Sequence, residues 1–324
     1  MPALSEFDLI KRYFTYPAPG ARLGVGDDAA LVRVRAGMEL AVSTDLLIAG
    51  RHFFRHADPR QLGHKALAVN LSDMAAMGAT PRWATLSLAL PRAEAPWLRA
   101  FADGFMRLAR KHGVDLIGGD TTRGPLTICV QIMGEVPAGQ ALTRAGARPG
   151  DDIWVSGCLG DAALALAALK QRMGLKRREL AVVERRLHAP APRITLGRAL
   201  RKIANSAIDI SDGLLADLGH ICERSRVSAV IGFERLPASR VMKRYLERPA
   251  ARAALLAGGD DYELCFTAAP ARHQTILSIA QRVGLPLTCI GSVRPARRGA
   301  PPVTVLARDG RPMTIRYRGF DHFG

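Results

Sequence analysis

Apolar runs alternate with segments of helical periodicity along the first half of the chain. Short apolar runs bounded by Gly, Pro or Asp are typical of strands, and apolar residues three and four apart are typical of helices. These patterns predict strands at Met38–Val42, Trp83–Leu90, Val114–Ile117 and Leu126–Val136, and helices at Pro59–Met77 and from about Pro96 to His112.

The segment Ala145–Asp152 is rich in turn-forming residues and marks a domain boundary. Beyond it the alternation continues, and Lys170–Glu184 is so highly charged that we expect a solvated surface segment. We therefore predict an α/β protein of two domains, residues 1–145 and 146–324. The later elements are predicted at Ile153–Val155, from Asp161, at Ala207–Ile210, from Gly213 to about Arg224, and at Tyr262–Thr267.

Length and composition favour a cytoplasmic protein. The longest apolar stretches, such as Ala162–Leu169, fall well short of the roughly 20 residues that a membrane span needs. The first residues lack a basic segment followed by an apolar one, so we expect no signal peptide and no membrane partner. The five cysteines are widely spaced without a C-x-x-C pair, which argues against a disulfide framework and a zinc site.

The formal net charge of +17 admits a nucleic acid, an anionic membrane surface or an acidic substrate as a partner. The 39 arginines and 7 lysines are scattered along the chain, and the densest runs, Lys176–Arg178 and Arg297–Arg298, are short. Neither a nucleic-acid-binding motif nor a basic patch interleaved with aromatic residues accompanies the charge. We therefore predict no nucleic-acid partner.

Aspartates recur at positions marked by Gly or Ser. Each has an ordinary explanation, because Asp and Gly favour turns and Asp caps helices. Together they favour a Mg²⁺ site, since several end apolar strands, where α/β sheets bind ligands, and Mg²⁺ prefers oxygen ligands shared with phosphates. The positions are Asp27, Asp28, Asp45, Asp73, Asp120, Asp209, Asp212, Asp260 and Asp261.

Asp73 is the most informative of these acids. Asn70 and Asp73 lie three residues apart in a predicted helix and so share a face, within a segment too apolar to be a solvated surface. Buried polar groups need partners. A metal ion would be one, and a local hydrogen-bonded pair inside the core is the alternative.

The phosphate-binding signatures of P-loop proteins and protein kinases do not occur in the sequence. Gly157-x-x-Gly160 precedes a predicted helix and is either a weak phosphate-binding candidate or ordinary helix-entry turn chemistry. Arg123 and Arg144 are candidate counter-charges, because a guanidinium holds phosphate through a bidentate fork.

Ordered motifs over almost the whole chain resemble the thiamine-monophosphate kinase family. They are Gly24–Ala30 (GVGDDAA), Ser43–Phe53 (STDLLIAGRHF), Lys65–Ala79 (KALAVNLSDMAAMGA), Leu116–Gly124 (LIGGDTTRG), Leu142–Arg144 (LTR), Ile208–Leu214 (IDISDGL), Gly258–Leu264 (GGDDYEL) and Gly319–Phe323 (GFDHF).

The resemblance implies the two-domain fold of the AIR synthetase superfamily. Its N-terminal α/β domain would bind ATP and Mg²⁺ and pair strands across a homodimer in a β-barrel-like interface, and its C-terminal α/β domain would complete the active site. The implied reaction is ATP-dependent phosphorylation of thiamine monophosphate to thiamine diphosphate, with several Mg²⁺ ions as cofactors and ATP as co-substrate.

The resemblance also implies three sets of site residues, carried over position by position. The Mg²⁺ ligands would be Asp28, Ser43, Thr44, Asp45, Asp73, Asp120, Asp209 and Asp212; the ATP contacts would be Asp103, Gly119, Asp120, Arg144 and Ser211; and His52, Asp260 and Phe320 would line the thiamine monophosphate site.

The substrate set contains one departure from the family pattern. Asp260 stands where the family has a glutamate, one methylene longer, so we expect a shifted or water-bridged contact. An aromatic face at Phe320 would suit the cationic thiazolium or the flat pyrimidine of thiamine, unless Phe320 only packs the tail on the core. His52 follows a predicted strand, and its spacing alone favours a surface histidine over a substrate contact.

The implied transfer needs no covalent nucleophile, because the acceptor phosphate is already an anion and positioning with charge neutralisation is enough. Two alternatives stay open. Another ATP-using member of the superfamily, such as one resembling AIR synthetase, selenophosphate synthetase or a hydrogenase maturation factor, would act on a different acceptor. A non-catalytic basic nucleic-acid-binding protein would leave the aspartates without a purpose.

Overall fold

The computed structural model describes residues 6–296, 299–315 and 319. It has the mixed α/β architecture of two units that the sequence predicts. The first unit takes in the chain up to Met74 together with Ala79–Gly139, and the second takes in Ala75–Gly78 and the chain from Gln140 onward.

The first unit is built on one four-stranded sheet. Its elements are α1 (Glu6–Tyr13), β1 (Ala21–Leu23), β2 (Leu31–Val32), β3 (Met38–Ile48), α2 (Pro59–Ala76, apart from its last two residues), β4 (Thr80–Leu90), α3 (Ala95–His112), β5 (Asp115–Arg123) and β6 (Thr127–Pro137). The sheet has the order β3-β6-β4-β5 and is antiparallel except for the parallel pair β4–β5. Strands β1 and β2 form a separate small sheet.

Helix α2 covers one face of this sheet, which we call the covered face. A Cβ on Gly134 of β6 would lie 2.8 Å from the sulfur of Met74, a residue of α2. Val130 and Ile132 lie on the same face of β6 as Gly134 and are buried. Side chains alternate between faces along a strand. The opposite, open face of β3 therefore presents four exposed apolar side chains: Leu40, Val42, Leu46 and Ile48.

Two predicted strand ends are wrong. Strand β3 does not stop at Val42 but runs through Ser43–Asp45 to Ile48, and β5 does not stop at Ile117 but runs through Gly118–Asp120 to Arg123. The physical reason is pairing with neighbours, because β6 pairs with β3 along its whole length and β4 pairs with β5 up to Arg123. Asp45 and Asp120 therefore lie inside strands.

The second unit is built on a six-stranded sheet. Its strands are β7 (Asp152–Ser156), β8 (Ser206–Asp209), β9 (Val227–Gly232), β10 (Leu264–Ala268), β11 (Leu287–Pro295) and β12 (Val303–Leu306), and its helices are α4 (Asp161–Leu169), α5 (Arg177–His188), α6 (Ile194–Leu200), α7 (Leu214–Ser225), α8 (Arg240–Tyr245), α9 (Pro249–Ala257) and α10 (His273–Val283). The order is β12-β9-β11-β7-β10-β8, with β12–β9 as the parallel pair.

The expected solvated segment at Lys170–Glu184 is only partly correct. Helix α5 begins at Arg177 and buries Glu179, Val183 and Leu187, which recur every four residues along one helical face. The charged positions between them hide that stripe in the composition. Among the described residues, no helix is long and apolar enough to cross a membrane.

Candidate functional site

A serine and two acids meet on the covered face of the first unit. The hydroxyl of Ser43 on β3 donates a 2.6 Å hydrogen bond to Oδ2 of Asp73 on α2. Burial, with a smaller effect from the negative charge of Asp73, raises the pKa of Asp45 to about 7. Two carboxylates and a hydroxyl so placed offer only oxygen donors, and their mutual repulsion favours a cation between them.

Thr44 and Asp120 belong to the other face of the same sheet. The strand register aligns Leu46 with Cys129, Cys129 with Ser87 and Ser87 with Asp120, so Asp120 shares the open face with Leu46. Thr44 lies two residues from Leu46 on that face, whereas Ser43 and Asp45 point to the covered face. The predicted Mg²⁺ ligands of this unit therefore divide between two faces of one sheet.

Gly119 has a structural reason to be glycine. Its φ of +144° is a conformation that side chains rarely adopt, and an added Cβ would lie 1.8 Å from the carbonyl oxygen of Leu86. The close approach allows β5 to pair with β4 beside Asp120. Its predicted contact with ATP stays a prediction.

Asn70 and Asp73 do not form the local pair that was the alternative to a metal site. Asn70 is fully buried and its Nδ2 donates a 3.0 Å hydrogen bond to the carbonyl of Ala66, while Asp73 contacts Ser43. The Asn70 Oδ1 atom is buried without a hydrogen-bond partner in the described structure.

Three further predicted residues of the first unit lie in different local settings. Asp28 is exposed in a bend before β2. The Nδ1 atom of His52 accepts a 2.9 Å hydrogen bond from the backbone N–H of Ile48, so His52 caps the end of β3. Asp103 on α3 forms a 3.2 Å ion pair with Arg60.

Three predicted residues of the second unit lie at a tight loop between β8 and α7. Asp209 is buried at the last position of β8, and Ser211 and Asp212 follow it. The backbone N–H groups of Ser211, Asp212 and Gly213 all donate to one oxygen, Oδ2 of Asp217, at 3.1, 3.1 and 3.0 Å. Because these amides are occupied, a nucleotide contact from Ser211 would use its side chain.

Asp217 was missed by the sequence analysis. Burial, followed by the charge of Asp212, raises the pKa of this carboxyl to about 7, although its three backbone hydrogen bonds act in the opposite direction. An acidic residue in the first turn is a sequence feature that indicates where a helix begins. The position of Asp217, four residues after Gly213, could therefore have pointed to it.

Asp260 lies in a second loop that is hydrogen-bonded to the first. Its N–H donates to the carbonyl of Ser211 and the N–H of Tyr262 donates to the carbonyl of Ile210, both at 2.8 Å. The Tyr262 hydroxyl donates to Oδ1 of Asp260 at 3.0 Å. Asp260 and Tyr262 have φ values of +68° and +49°, strained for non-glycine residues and frequent at ligand sites.

Arg144 is exposed in the same unit. Its carbonyl accepts a 3.1 Å hydrogen bond from Ser225 at the end of α7, and the same hydroxyl accepts the N–H groups of Gly146 and Ala147. The backbone next to this guanidinium is thus fixed while the side chain reaches solvent.

The turn Gly157–Gly160 leads into helix α4, with Gly160 as the residue that precedes the helix. The N–H of Gly160 donates to both carboxylate oxygens of Asp261 at 2.9 Å, and Gly160 has a φ of +80°. A carboxylate of the protein therefore occupies the position that a phosphate would need.

Glu263 is a second buried acid that the sequence analysis passed over. It is 1% exposed and forms an ion pair with Arg193, whose Nε donates to Oε2 at 2.7 Å. Ser156 donates to the same oxygen at 2.5 Å. Burial nevertheless raises the pKa of Glu263, against the effect of Arg193. We assign it to the core of the sheet.

Phe320 lies outside the described residues. Its neighbour Gly319 is described, and an added Cβ there would lie 2.4 Å from the Cβ of Ala216 and 3.1 Å from the carbonyl oxygen of Asp212. The chain at Gly319 therefore lies against the start of α7.

The oxygen ligands that could bind Mg²⁺ occur in small groups. Within the described part of the chain, no group of three or more His, Cys, Asp and Glu side chains is arranged to hold a metal ion. Smaller sets include the pair Asp45 and Asp73. Mg²⁺ is usually held by one or two carboxylates plus substrate phosphates, so the pair Asp45 and Asp73 with Ser43 suits a metal that arrives with a nucleotide.

Known protein families match both halves of the chain. The model of the AIR synthase related protein N-terminal domain matches residues 26–136, and that of the C-terminal domain matches residues 148–303. A thiamine-monophosphate kinase from Salmonella typhimurium is 47% identical over 328 residues, covering 99% of both chains.

Solved structures agree with these matches. A thiamine-monophosphate kinase from Stenotrophomonas maltophilia has a TM-score of 0.83 and 48% identity, over 91% of this chain and 92% of that one. AaThiL complexed with AMPPCP and TMP has a TM-score of 0.75 and 34% identity, over 98% and 96%. The chain therefore belongs to the AIR synthase-related family and, within it, to the thiamine-monophosphate kinases.

Proposed function

We propose that this chain transfers the γ-phosphoryl group of ATP to thiamine monophosphate and releases thiamine diphosphate and ADP. The relative solved with AMPPCP, an ATP analogue that resists transfer, and TMP supports both substrates. The structural observation that supports the chemistry best is the oxygen-donor set of Ser43, Asp45 and Asp73.

The proposed roles combine the local geometry of Ser43, Asp45 and Asp73 with the roles that the family resemblance implies. Ser43, Asp45 and Asp73 would hold Mg²⁺ on the covered face. The resemblance adds Asp28, Asp209 and Asp212 as further ligands, together with Thr44 and Asp120, which would hold a separate ion on the open face. Bound Mg²⁺ would neutralise phosphate charge. The exposed guanidinium of Arg144 and the side chain of Ser211 would contact the nucleotide, with Asp103 and Gly119 as predicted. Asp260 and His52 would orient the acceptor, whose phosphate oxygen attacks without a protein nucleophile.

We further propose that two copies of the chain associate through β3. This strand lies at the edge of its sheet and its open face exposes Leu40, Val42, Leu46 and Ile48. Unpaired edges with an apolar face favour association, and large apolar patches mark interfaces. Residues 1–145 would then be the dimerisation and nucleotide domain and 146–324 the second domain, in a cytoplasmic enzyme.

The reaction is tested by mass spectrometry of purified protein incubated with ATP, Mg²⁺ and thiamine monophosphate. We expect thiamine diphosphate that disappears with EDTA and in Asp73→Ala. Asp58→Ala is the matched control, because Asp58 precedes the same helix and its carboxylate accepts the N–H of Gln61. If folded wild-type protein binds AMPPCP but makes no thiamine diphosphate, thiamine monophosphate is not the acceptor. The acceptor of another member of the superfamily would then be favoured.

A further inference from the structure

Asp217 makes contacts that neither the motifs nor the proposed roles explain. Three consecutive backbone amides, those of Ser211, Asp212 and Gly213, donate to its Oδ2 atom. The carboxylate is buried in the first turn of α7, where the unpaired N–H groups of a helix start favour a negative charge. One carboxylate oxygen thus contacts three successive residues of the loop.

The same loop connects to the second one. The carbonyl of Ser211 accepts the N–H of Asp260, and the carbonyl of Ile210 accepts the N–H of Tyr262. A Cβ on Gly259 would lie 2.3 Å from the carbonyl oxygen of Ser211, so the two loops touch at van der Waals distance. Any shift of Ser211 therefore moves the backbone that supports the Asp260 carboxylate.

We propose that Asp217 is a positioning residue that sets the geometry of both loops, and through them of the nucleotide-side Ser211 and Asp212 and the acceptor-side Asp260. The inference rests on the proposed function, because that function gives these three residues their roles. Asp217 itself contacts no substrate in this assignment.

The test compares Asp217→Ala and Asp217→Asn with the wild-type chain. Amide hydrogen exchange of residues 211–213, measured by mass spectrometry without nucleotide, reports the loop directly. Calorimetric titration with AMPPCP and Mg²⁺ reports nucleotide binding. We expect Asp217→Ala to exchange these amides faster and to bind AMPPCP about tenfold more weakly, the size typical of lost supporting contacts.

Asp217→Asn should lie between the alanine variant and the wild type, because an amide oxygen can still accept the three N–H groups. The matched control is Asp161→Ala. Asp161 is also a buried acid in the first turn of a helix of this unit, and it accepts a hydrogen bond from Ser239. Its loss should lower stability without changing AMPPCP affinity or the exchange of residues 211–213.

Unchanged exchange and unchanged AMPPCP affinity in folded Asp217→Ala would overturn the proposal, as would an equal loss in Asp161→Ala. Failure of the proposed function is recognised separately. In that case the wild-type chain makes no thiamine diphosphate, while the hydrogen exchange of the two Asp217 variants still decides whether Asp217 fixes the loop.

Discussion

The Ser43 hydroxyl on β3 and the Asp73 carboxylate on α2 are joined by a 2.6 Å hydrogen bond. The bond holds Asp73 on the same face as Asp45, whose pKa is raised from 3.8 to about 7 by burial first and by the charge of Asp73 second. The sheet and its covering helix thus hold two acids together that repel each other when both are ionised.

This repulsion predicts a pH-dependent stability of the metal-free protein. The pKa of Asp45 is higher in the folded than in the unfolded protein. At pH values between the two pKa values, the folded protein therefore binds more protons than the unfolded protein. The contribution of Asp45 to the free energy of unfolding therefore falls as pH rises from about 4 to about 7. Urea unfolding in EDTA across this range measures it.

Asp73→Asn should weaken this dependence, because it removes the charge facing Asp45 but keeps an oxygen for Ser43. The free energy of unfolding of the variant, minus that of the wild type, should increase as pH rises from 5 to 8. The increase is about 1.4 kcal/mol for each unit by which the substitution lowers the pKa of Asp45. An identical pH profile for the two proteins would contradict the pairing.

Gly119→Ala should destabilise the first unit by about 3 kcal/mol or more, because a Cβ would collide with the Leu86 carbonyl at a strained φ. Gly118→Ala is the matched control. Its Cβ would meet only a methyl of Thr85, at 3.8 Å. The measurement is urea unfolding of both variants, and equal stabilities would refute the steric argument.

Arg193→Leu should cost about 3 kcal/mol, because it removes the close partner of the buried Glu263 carboxylate. Adding Glu263→Gln should restore part of the loss by neutralising that charge. The control is Arg311→Leu, which breaks an exposed pair with Asp309 and should change the free energy of unfolding by less than about 1 kcal/mol. Equal effects of the two arginine variants would exclude the buried-charge explanation.

Val42→Glu should make the protein monomeric in analytical ultracentrifugation, because it places a charge on the open face proposed as the dimer interface. Val42 is 53% exposed. Val182→Glu changes a valine of similar exposure, 56%, on a helix of the second unit and should leave the assembly unchanged. A wild-type chain that is already monomeric would remove the basis of the proposal.

Tyr262→Phe should raise the KM for thiamine monophosphate about threefold, the effect of losing one ordinary hydrogen bond, with AMPPCP affinity unchanged. The lost bond is the one to Oδ1 of Asp260. Tyr245→Phe is the control, because it removes another buried hydroxyl, bonded to Glu179, and should not change that KM. A parallel loss of AMPPCP affinity in Tyr262→Phe would indicate general loop damage.

The sequence by itself determined the α/β class, the family and the positions of about half of the helices and strands. Helix α2 and strand β6 follow from local periodicity, which depends on neighbouring residues alone. The family follows from motifs, because their residues occur in a fixed order along the chain and are recognised without a structure.

Only the tertiary structure decided where the acids lie. Strands β3 and β5 continue through Asp45 and Asp120 because partner strands pair with them, and no local pattern reveals a partner. Because of the register of these paired strands, Asp45 and Asp120 lie on opposite faces of one sheet. Asp217 accepts hydrogen bonds from three amides that a turn brings to it. Pairing and burial are long-range, so the chemistry of each carboxylate was fixed by folding.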